Sequence, residues 1–205
     1  MAGLARRYGI FGGTFDPPHI GHLVLASEAC YQLELDKVLW VLTPDPPHKQ
    51  GCPVTPVSVR LDLLLAAIED DPAFELCRID SDRPPPHYAA DTVQLLHRDY
   101  PGAELVYLMG GDSLADLPTW HAPLEFIAAC DEIGVMLRPG RRVRLAALEK
   151  VLPGLSSKVR FLKTPLLQVS SSVLRQWIAG GHPYRYYVSD PVYRIVEAKK
   201  LYRKS

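Results

Sequence analysis

The sequence has few cysteines, and no two of them lie close together in the chain. Its four, Cys30, Cys52, Cys77 and Cys130, lie far apart, with no CxxC pair and no histidine at ligand spacing beside them. This spacing argues against zinc motifs and against a disulfide framework. We therefore expect reduced thiols with structural roles.

Long hydrophobic runs and an excess of charge are also missing. No segment approaches the roughly 20 apolar residues of a membrane helix, and residues 1–13 contain no apolar run of signal-peptide length. We expect a cytoplasmic protein that binds no membrane. Lys plus Arg and Asp plus Glu both total 23, so the formal net charge is +0 and no wide basic surface is available for nucleic acid. Any bound anion should be small and held locally.

One basic run stands apart from this balance. The segment RPGRRVR at residues 138–144 contains four arginines. Because the run is short and the chain neutral, a solvated loop with one phosphate contact from Arg138 is favoured over a surface for nucleic acid or an acidic partner.

Apolar runs of strand length recur along the chain, with helical patterns between several of them. The runs cover residues 8–12, 37–42, 74–79, 104–109, 132–137 and 158–163, and the helical patterns cover 22–33, 57–70 and 89–100. Most runs are continuously apolar, which is typical of strands covered on both faces. The alternation predicts an α/β fold with a Rossmann-like, doubly wound and mainly parallel sheet. We expect residues 1–205 to form a single domain.

The loops after these strands are rich in Pro, Gly, His, Arg and Asp, and most of the 19 prolines lie there. Parallel sheets bind ligands in the crevice at the carboxyl ends of their strands. We therefore expect a polar site at that edge.

The first of these loops has the sequence GGTFDPPHIGHL at residues 12–23. Gly12 and Gly13 lack a Cβ, so the backbone can turn sharply and its N–H groups can approach a phosphate. If a helix starts after Pro18, His19 and His22 extend from one face of its first turn. Gly21 between them would leave room for a ligand against the backbone. The sequence contains neither GxxxxGK[ST] nor GxGxxG, so neither a P-loop nor an ordinary dinucleotide fingerprint is indicated.

A second phosphate-binding pattern lies near the other end, in QVSSSVLRQWI at residues 168–178. Serine hydroxyls and free amides at a helix start can hold phosphate oxygens, and Arg175 one turn later can add a charge-assisted contact. An N-cap followed by a solvated arginine explains this stretch equally well when it is taken alone.

Together the two patterns resemble those of the HxGH nucleotidylyltransferase superfamily, whose second signature is ISSTxxR. The order of further segments is similar to that of bacterial nicotinate-nucleotide adenylyltransferases. Those enzymes carry a PxxxPHK loop, an arginine-initiated helix, SYTxDTL, GxDS…W, RPG and a C-terminal LY. The matching segments here lie at residues 44–49, Arg60, 87–93, 110–120, 138–140 and 201–202, so the resemblance covers nearly the whole chain. Residues from about 165 would form the C-terminal, ISSTxxR-like and helical part.

The resemblance implies an enzyme that joins ATP and nicotinate mononucleotide, with Mg²⁺ accompanying ATP, and it leaves the oligomeric state open. The implied catalytic residues are His19, His22, Lys49 and Arg175. The implied ATP-binding residues are Gly12, Gly13, Thr14, Phe15, His19, His22, Gly110, Asp112, Ser170, Ser171, Ser172 and Arg175. Those implied for the nicotinate nucleotide are Thr14, His48, Lys49, Tyr88, Ala89, Trp120, His121 and Arg138. No protein ligand to a metal is assigned.

The sequence departs from the family pattern on the acceptor side, where His87 and Ala89 replace Ser and Thr. The family reads the nicotinate carboxylate largely through backbone amides, here near Ala89 and His121. A backbone contact survives a side-chain change, so we expect preference for the acid over the amide. The alternatives are an enzyme of the same fold acting on nicotinamide mononucleotide or phosphopantetheine, and a non-catalytic nucleotide sensor.

Overall fold

A computed structural model describes residues 6–46, 54–137, 143–165 and 167–203. The strands in these ranges form one sheet in the order β3-β2-β1-β4-β5-β6, and every adjacent pair is parallel. They are β1 (Arg7–Gly13), β2 (Lys37–Leu42), β3 (Phe74–Cys77), β4 (Glu104–Gly110), β5 (Glu132–Met136) and β6 (Val159–Leu162). The predicted α/β fold with a doubly wound parallel sheet is confirmed, and the strand ends differ from the predicted ones by at most two residues.

Helices connect the strands and continue beyond the last one. They are α1 (Ile20–Gln32), α2 (Val57–Ile68), α3 (Ala89–Asp99), α4 (Gly111–Asp116), α5 (Pro123–Ala129), α6 (Leu145–Val151), α7 (Leu155–Lys158), α8 (Ser171–Ala179) and α9 (Asp190–Ala198). Short 3₁₀ turns lie at Leu117–Thr119 and Arg185–Tyr187. The helices α4 to α7 were not predicted, because four to seven residues are too few to display helical periodicity.

Both faces of the sheet are buried, which explains the continuously apolar runs. In β2, Leu39 and Val41 face one core cluster, whereas Val38, Trp40 and Leu42 face the other. Successive side chains of a strand point to opposite faces, so a strand covered on both sides needs apolar residues at every position.

The helices divide between the two faces, and the division positions the site. One face packs against buried residues of α1 and α2, including Leu25 and Leu64. The other packs against α3 and α5, including Val93 and Phe126. The helices that follow β1 and β2 cover one face, and α3 and α5, which follow β3 and β4, cover the other. The connections therefore diverge between β1 and β4, which are adjacent in the sheet. Such a switch point opens a crevice at the carboxyl ends of the strands.

A third cluster joins the C-terminal helices to the sheet layer. Leu63 of α2 is buried against Leu174 of α8 and against Val192 and Val196 of α9. This packing carries the start of α8 back toward the amino-terminal loop. None of the helices in the ranges given above is long and apolar enough to cross a membrane.

Candidate active site

A cavity of about 710 Å³ lies at the carboxyl ends of β1 and β4, where the crevice of a doubly wound sheet is expected. The ends of both strands contribute to its wall, together with the first turns of α1, α3 and α4. Leu167 and Val169, which precede α8, also line it. Loops from both ends of the chain therefore meet around one space.

The two glycines of the first loop lie inside β1 and line the cavity. A Cβ at Gly12 would lie 2.6 Å from the Tyr107 hydroxyl oxygen, and one at Gly13 would lie 2.8 Å from the Phe15 ring. The left-handed residue of this loop is instead Phe15, with φ of 47°. The glycines were expected to allow a sharp turn and close approach of the backbone to a phosphate. In the structure they allow close packing of Tyr107 and Phe15, and the left-handed turn lies at Phe15.

The two histidines at the start of α1 stack directly on each other and line the cavity. Their ring centroids are 3.7 Å apart with 23° between the planes. The His19 backbone N–H donates to His22 Nδ1 over 3.1 Å. Because Nδ1 accepts this bond, the proton of a neutral His22 ring lies on Nε2.

Aromatic side chains pack against this histidine pair. The His22 ring packs edge-on against Phe15, at 5.1 Å between centroids, and lies 5.8 Å from Phe11. Phe15 is buried and packs against His22. It was predicted to bind ATP, but among the described residues it does not line the cavity.

Gly21 has a packing role that the sequence did not indicate. A Cβ there would lie 2.9 Å from Val169 Cγ1 and 3.1 Å from the His19 ring. The space expected for a ligand is therefore filled by Val169, whose segment leads into the serine cluster.

The serine cluster and its arginine are bonded to the first loop. Ser171 Oγ donates to the Pro17 carbonyl over 2.9 Å, and Arg175 Nη1 donates to the Asp16 carbonyl over 2.7 Å. Ser170 caps α8 by accepting the Val173 N–H at 3.3 Å, and Ser172 is exposed. Among the described residues, the cavity wall includes none of Ser170, Ser171, Ser172 and Arg175.

Asp16 joins the first loop to two more distant segments. Its Oδ1 accepts the Tyr202 hydroxyl at 2.7 Å, and its Oδ2 accepts the Thr55 N–H at 3.2 Å. Burial, with the Asp16 charge second, raises the pKa of the Tyr202 hydroxyl far above its ordinary value. Tyr202 therefore remains a neutral donor to this buried carboxylate.

Arg60 ties the loops after β1 and β2 together from inside the protein. Its guanidinium donates to the carbonyls of Thr14, Thr43, Pro44 and Thr55 over 2.7 to 3.1 Å. The side chain is fully buried, and desolvation lowers its pKa from the ordinary value. Its donors are directed at the main chain, so its role is to shape the site.

The residues predicted to bind the nicotinate nucleotide include several at the start of α3 and in the segment before α5. Tyr88 precedes α3 and stacks on His121 with ring centroids 3.8 Å apart. Trp120 packs against Phe126 at 5.3 Å between centroids. Tyr88, Ala89, Trp120 and His121 all line the cavity.

A buried polar network that the sequence did not indicate forms another part of the cavity lining. Asp80 accepts from Arg83 at 2.8 Å and from the Thr92 hydroxyl at 2.9 Å. His87 Nε2 lies 3.1 Å from the Arg83 carbonyl oxygen. Asp80, His87 and Thr92 line the cavity. The available signal was the position of Asp80, three residues beyond the carboxyl end of β3.

The remaining predicted residues divide between the cavity and the undescribed segments. Thr14 and Asp112 line the cavity, as does Gly110, which precedes α4 as its N-cap. His48, Lys49 and Arg138 lie outside the described residues. Within those residues no group of three or more His, Cys, Asp and Glu side chains is arranged to hold a metal ion.

Comparison with known proteins places the chain among nucleotide-transferring enzymes. The Cytidylyltransferase-like family matches residues 10–177. A probable nicotinate-nucleotide adenylyltransferase of Thermomicrobium roseum is 44% identical over 197 residues, covering 96% of this chain and 92% of that protein. The nicotinate-nucleotide adenylyltransferase of Bacillus subtilis is 38% identical over 197 residues, covering 96% and 98%.

A solved structure has the same fold. The nicotinic acid mononucleotide adenylyltransferase of Plasmodium falciparum in complex with NaAD superposes with a TM-score of 0.78 at 16% identity, covering 96% of this chain and 97% of the other. At this identity the similarity demonstrates the architecture and nothing finer.

Proposed function

Because this chain belongs to the nicotinate-nucleotide adenylyltransferase family, we propose that it transfers the adenylyl group of ATP to nicotinate mononucleotide. The products are deamido-NAD and pyrophosphate, in a step of NAD biosynthesis that would run in the cytoplasm. The observation that carries the proposal is the joining of the two phosphate signatures, through the Ser171 and Arg175 hydrogen bonds to Pro17 and Asp16, beside one cavity.

The reaction needs no nucleophile from the protein. A phosphate oxygen of the mononucleotide attacks the α-phosphorus of ATP, and the bond from that phosphorus to the β-phosphate oxygen breaks. Pyrophosphate leaves with the electron pair. Catalysis of this kind depends on alignment and on stabilising the charge that builds on the phosphoryl oxygens. Mg²⁺ enters as part of the Mg-ATP substrate and shares in that neutralisation.

The phosphate side of the site is assigned to the two signatures. His19 contacts the α-phosphate as charge develops, and His22 orients the nucleotide through its Nε2–H. The backbone at Gly12 and Gly13, with Thr14, Gly110 and Asp112, forms the surface against which ATP lies. The β- and γ-phosphates are held by Ser170, Ser171, Ser172 and Arg175, and Lys49 adds a further cationic contact. Arg175 donates one guanidinium N–H to the Asp16 carbonyl. Its other guanidinium N–H groups can donate to phosphate oxygens.

The acceptor side is assigned to the wall around Trp120. Its indole stacks on the pyridine ring, and Asp112 bonds a ribose hydroxyl. The backbone amides near Ala89 and His121 read the nicotinate carboxylate. Tyr88, His48 and Arg138 complete this side. The position of Ala89 at the first turn of α3 supports this assignment, because helix N-terminal amides favour anionic groups.

A panel of acceptors tests the proposal. The purified protein would be supplied with Mg-ATP and either nicotinate mononucleotide, nicotinamide mononucleotide or phosphopantetheine, and pyrophosphate release would be measured. We expect the fastest turnover with nicotinate mononucleotide. Faster turnover with another acceptor would reassign the substrate. Calorimetric binding of ATP without turnover on any acceptor would identify a nucleotide sensor instead.

A further inference from the structure

Tyr107 lies at the switch point of the sheet and lines the cavity, although neither signature contains it. It belongs to β4, and its register partner on β1 is Ile10, two residues before the glycine loop. An ideal Cβ on Gly12 would lie 2.6 Å from its hydroxyl oxygen. The hydroxyl is therefore at the floor of the cavity, beside the main chain of the first loop.

Neighbouring aromatic rings fix the orientation of this side chain. The Tyr107 ring packs edge-on against Phe126, at 4.8 Å between centroids and 88° between planes. It also meets the Trp120 ring edge-on at 6.3 Å. With only 7% of the residue exposed, the ring has little freedom to swing away from the cavity. Tyr107 thus presents its hydroxyl at a fixed point.

This hydroxyl is a polar group that the described part of the chain does not use. Within residues 6–46, 54–137, 143–165 and 167–203 it has no hydrogen-bond partner. Several side-chain polar atoms of the same residues are completely enclosed and lack a partner, but the Tyr107 hydroxyl oxygen is not one of them. It therefore remains accessible from the cavity. Buried hydroxyls are normally paired, and one left open at a cavity floor is available to a ligand.

The nearby groups indicate which ligand atom the hydroxyl would meet. The Tyr107 ring contacts Trp120, which is assigned to the acceptor side, and Tyr107 lines the same cavity as Tyr88 and Ala89. The Asp80 carboxylate, which also lines the cavity, already accepts from Arg83 and Thr92. Burial raises the pKa of the Tyr107 hydroxyl far above its ordinary value, with smaller contributions from Cys130 and Asp80. The group therefore stays a neutral donor, suited to an oxygen acceptor.

We propose that the Tyr107 hydroxyl donates a hydrogen bond to an oxygen of the acceptor mononucleotide, and so is a substrate-binding residue of this chain. The inference rests on the proposed function, which supplies the mononucleotide. Two oxygens have the required chemistry: the carboxylate of the pyridine ring, which would form the stronger, charge-assisted bond, and a ribose oxygen shared by acid and amide nucleotides.

The test compares Tyr107→Phe with Tyr184→Phe, which removes a buried hydroxyl that bonds Glu197 outside the cavity. Phenylalanine keeps the aromatic packing on Phe126, so Tyr107→Phe should fold. We expect KM for nicotinate mononucleotide to rise about ten-fold in Tyr107→Phe, the effect of about 1.4 kcal/mol, while KM for ATP stays unchanged. Tyr184→Phe should leave both KM values at the parent level.

The acid and amide nucleotides distinguish the two oxygens. A KM increase confined to nicotinate mononucleotide assigns the bond to the carboxylate, and an equal increase for nicotinamide mononucleotide assigns it to the ribose. Parent-level KM for both nucleotides in Tyr107→Phe would overturn the inference and leave the proposed function intact. If the parent protein turns over no acceptor, the proposed function fails instead. Calorimetric titration of nicotinate mononucleotide into parent and variant then tests Tyr107 directly, and equal affinities would overturn it.

Discussion

At the residue scale, a single backbone hydrogen bond fixes the neutral tautomer of one of the two stacked histidines. His22 Nδ1 accepts the His19 backbone N–H, so the proton of a neutral His22 ring is on Nε2. Under the proposed function, the pair would present oriented donors to a phosphate.

Replacement of His19 by alanine tests this arrangement. We expect His19→Ala to lower kcat by about 100-fold or more, the scale of losing one group that stabilises transition-state charge, while ATP still binds. Pyrophosphate release and calorimetric ATP titration measure the two effects. His182→Ala, which changes an exposed histidine outside the cavity, is the control. Near-normal turnover in His19→Ala would remove His19 from the chemical step.

At the scale of elements, α8 is attached to the first loop, in addition to the phosphate-binding role that is proposed for its first turn. Its Ser170 caps the helix, its Ser171 bonds Pro17, and its Arg175 bonds Asp16. The Pro17 and Asp16 carbonyls lie two and three residues before His19. These bonds therefore fix the position of the loop immediately before the histidine pair relative to α8.

Two adjacent serines differ in that Ser171 is bonded to the first loop, whereas Ser172 is exposed. Ser171→Ala should lower the free energy of unfolding by about 1 kcal/mol, because the 2.9 Å hydrogen bond to Pro17 is lost. Ser172→Ala removes an exposed hydroxyl and should leave the unfolding free energy within about 0.5 kcal/mol of the parent. Urea unfolding of both variants measures the difference. Equal losses would show that the Ser171 bond contributes nothing specific to the attachment.

At the scale of the whole molecule, the C-terminal segment closes onto the beginning of the chain. The Tyr202 hydroxyl donates to the Asp16 carboxylate, which lies 186 residues earlier in the chain. The same carboxylate accepts the Thr55 backbone N–H. Asp16 is 2% exposed, so its carboxylate depends on these donors in place of water. The stability of the first loop is thereby linked to the segment that follows the last helix.

Tyr202→Phe measures that link. Because the variant leaves a buried carboxylate short of one donor, the free energy of unfolding should fall by about 2 kcal/mol, and kcat should fall with it. Tyr186→Phe, which changes a tyrosine that is 87% exposed, is the control and should match the parent.

The sign of the pH dependence follows from the raised pKa of Tyr202. The folded pKa exceeds the unfolded value of about 10, so the stabilisation is complete below about pH 10 and is lost as the pH rises further. The difference in unfolding free energy between parent and Tyr202→Phe should therefore stay constant from pH 6 to 9 and shrink above pH 10. A difference that is absent at pH 7 would contradict the role assigned to this bond.

The sequence by itself determined the succession of strands along the chain, the long helices α1 to α3, the parallel sheet and the edge at which a site is expected. These depend on local patterns, because a strand buried on both faces must be continuously apolar, as in residues 37–42, and a helix of eleven or more residues must show its period. It also determined the family, because the motifs at 12–23 and 169–175 retain their residue types and order.

Only the tertiary structure decided what those residues touch. The sequence does not indicate that Gly12 makes room for Tyr107, that Gly21 makes room for Val169, or that Asp16 receives Tyr202. Tyr107 is indistinguishable from its apolar neighbours in the run at 104–109, and Asp80 is one of several acids in its loop. Such contacts join residues distant along the chain, and their chemistry follows from burial and neighbours, which are properties of the folded chain alone.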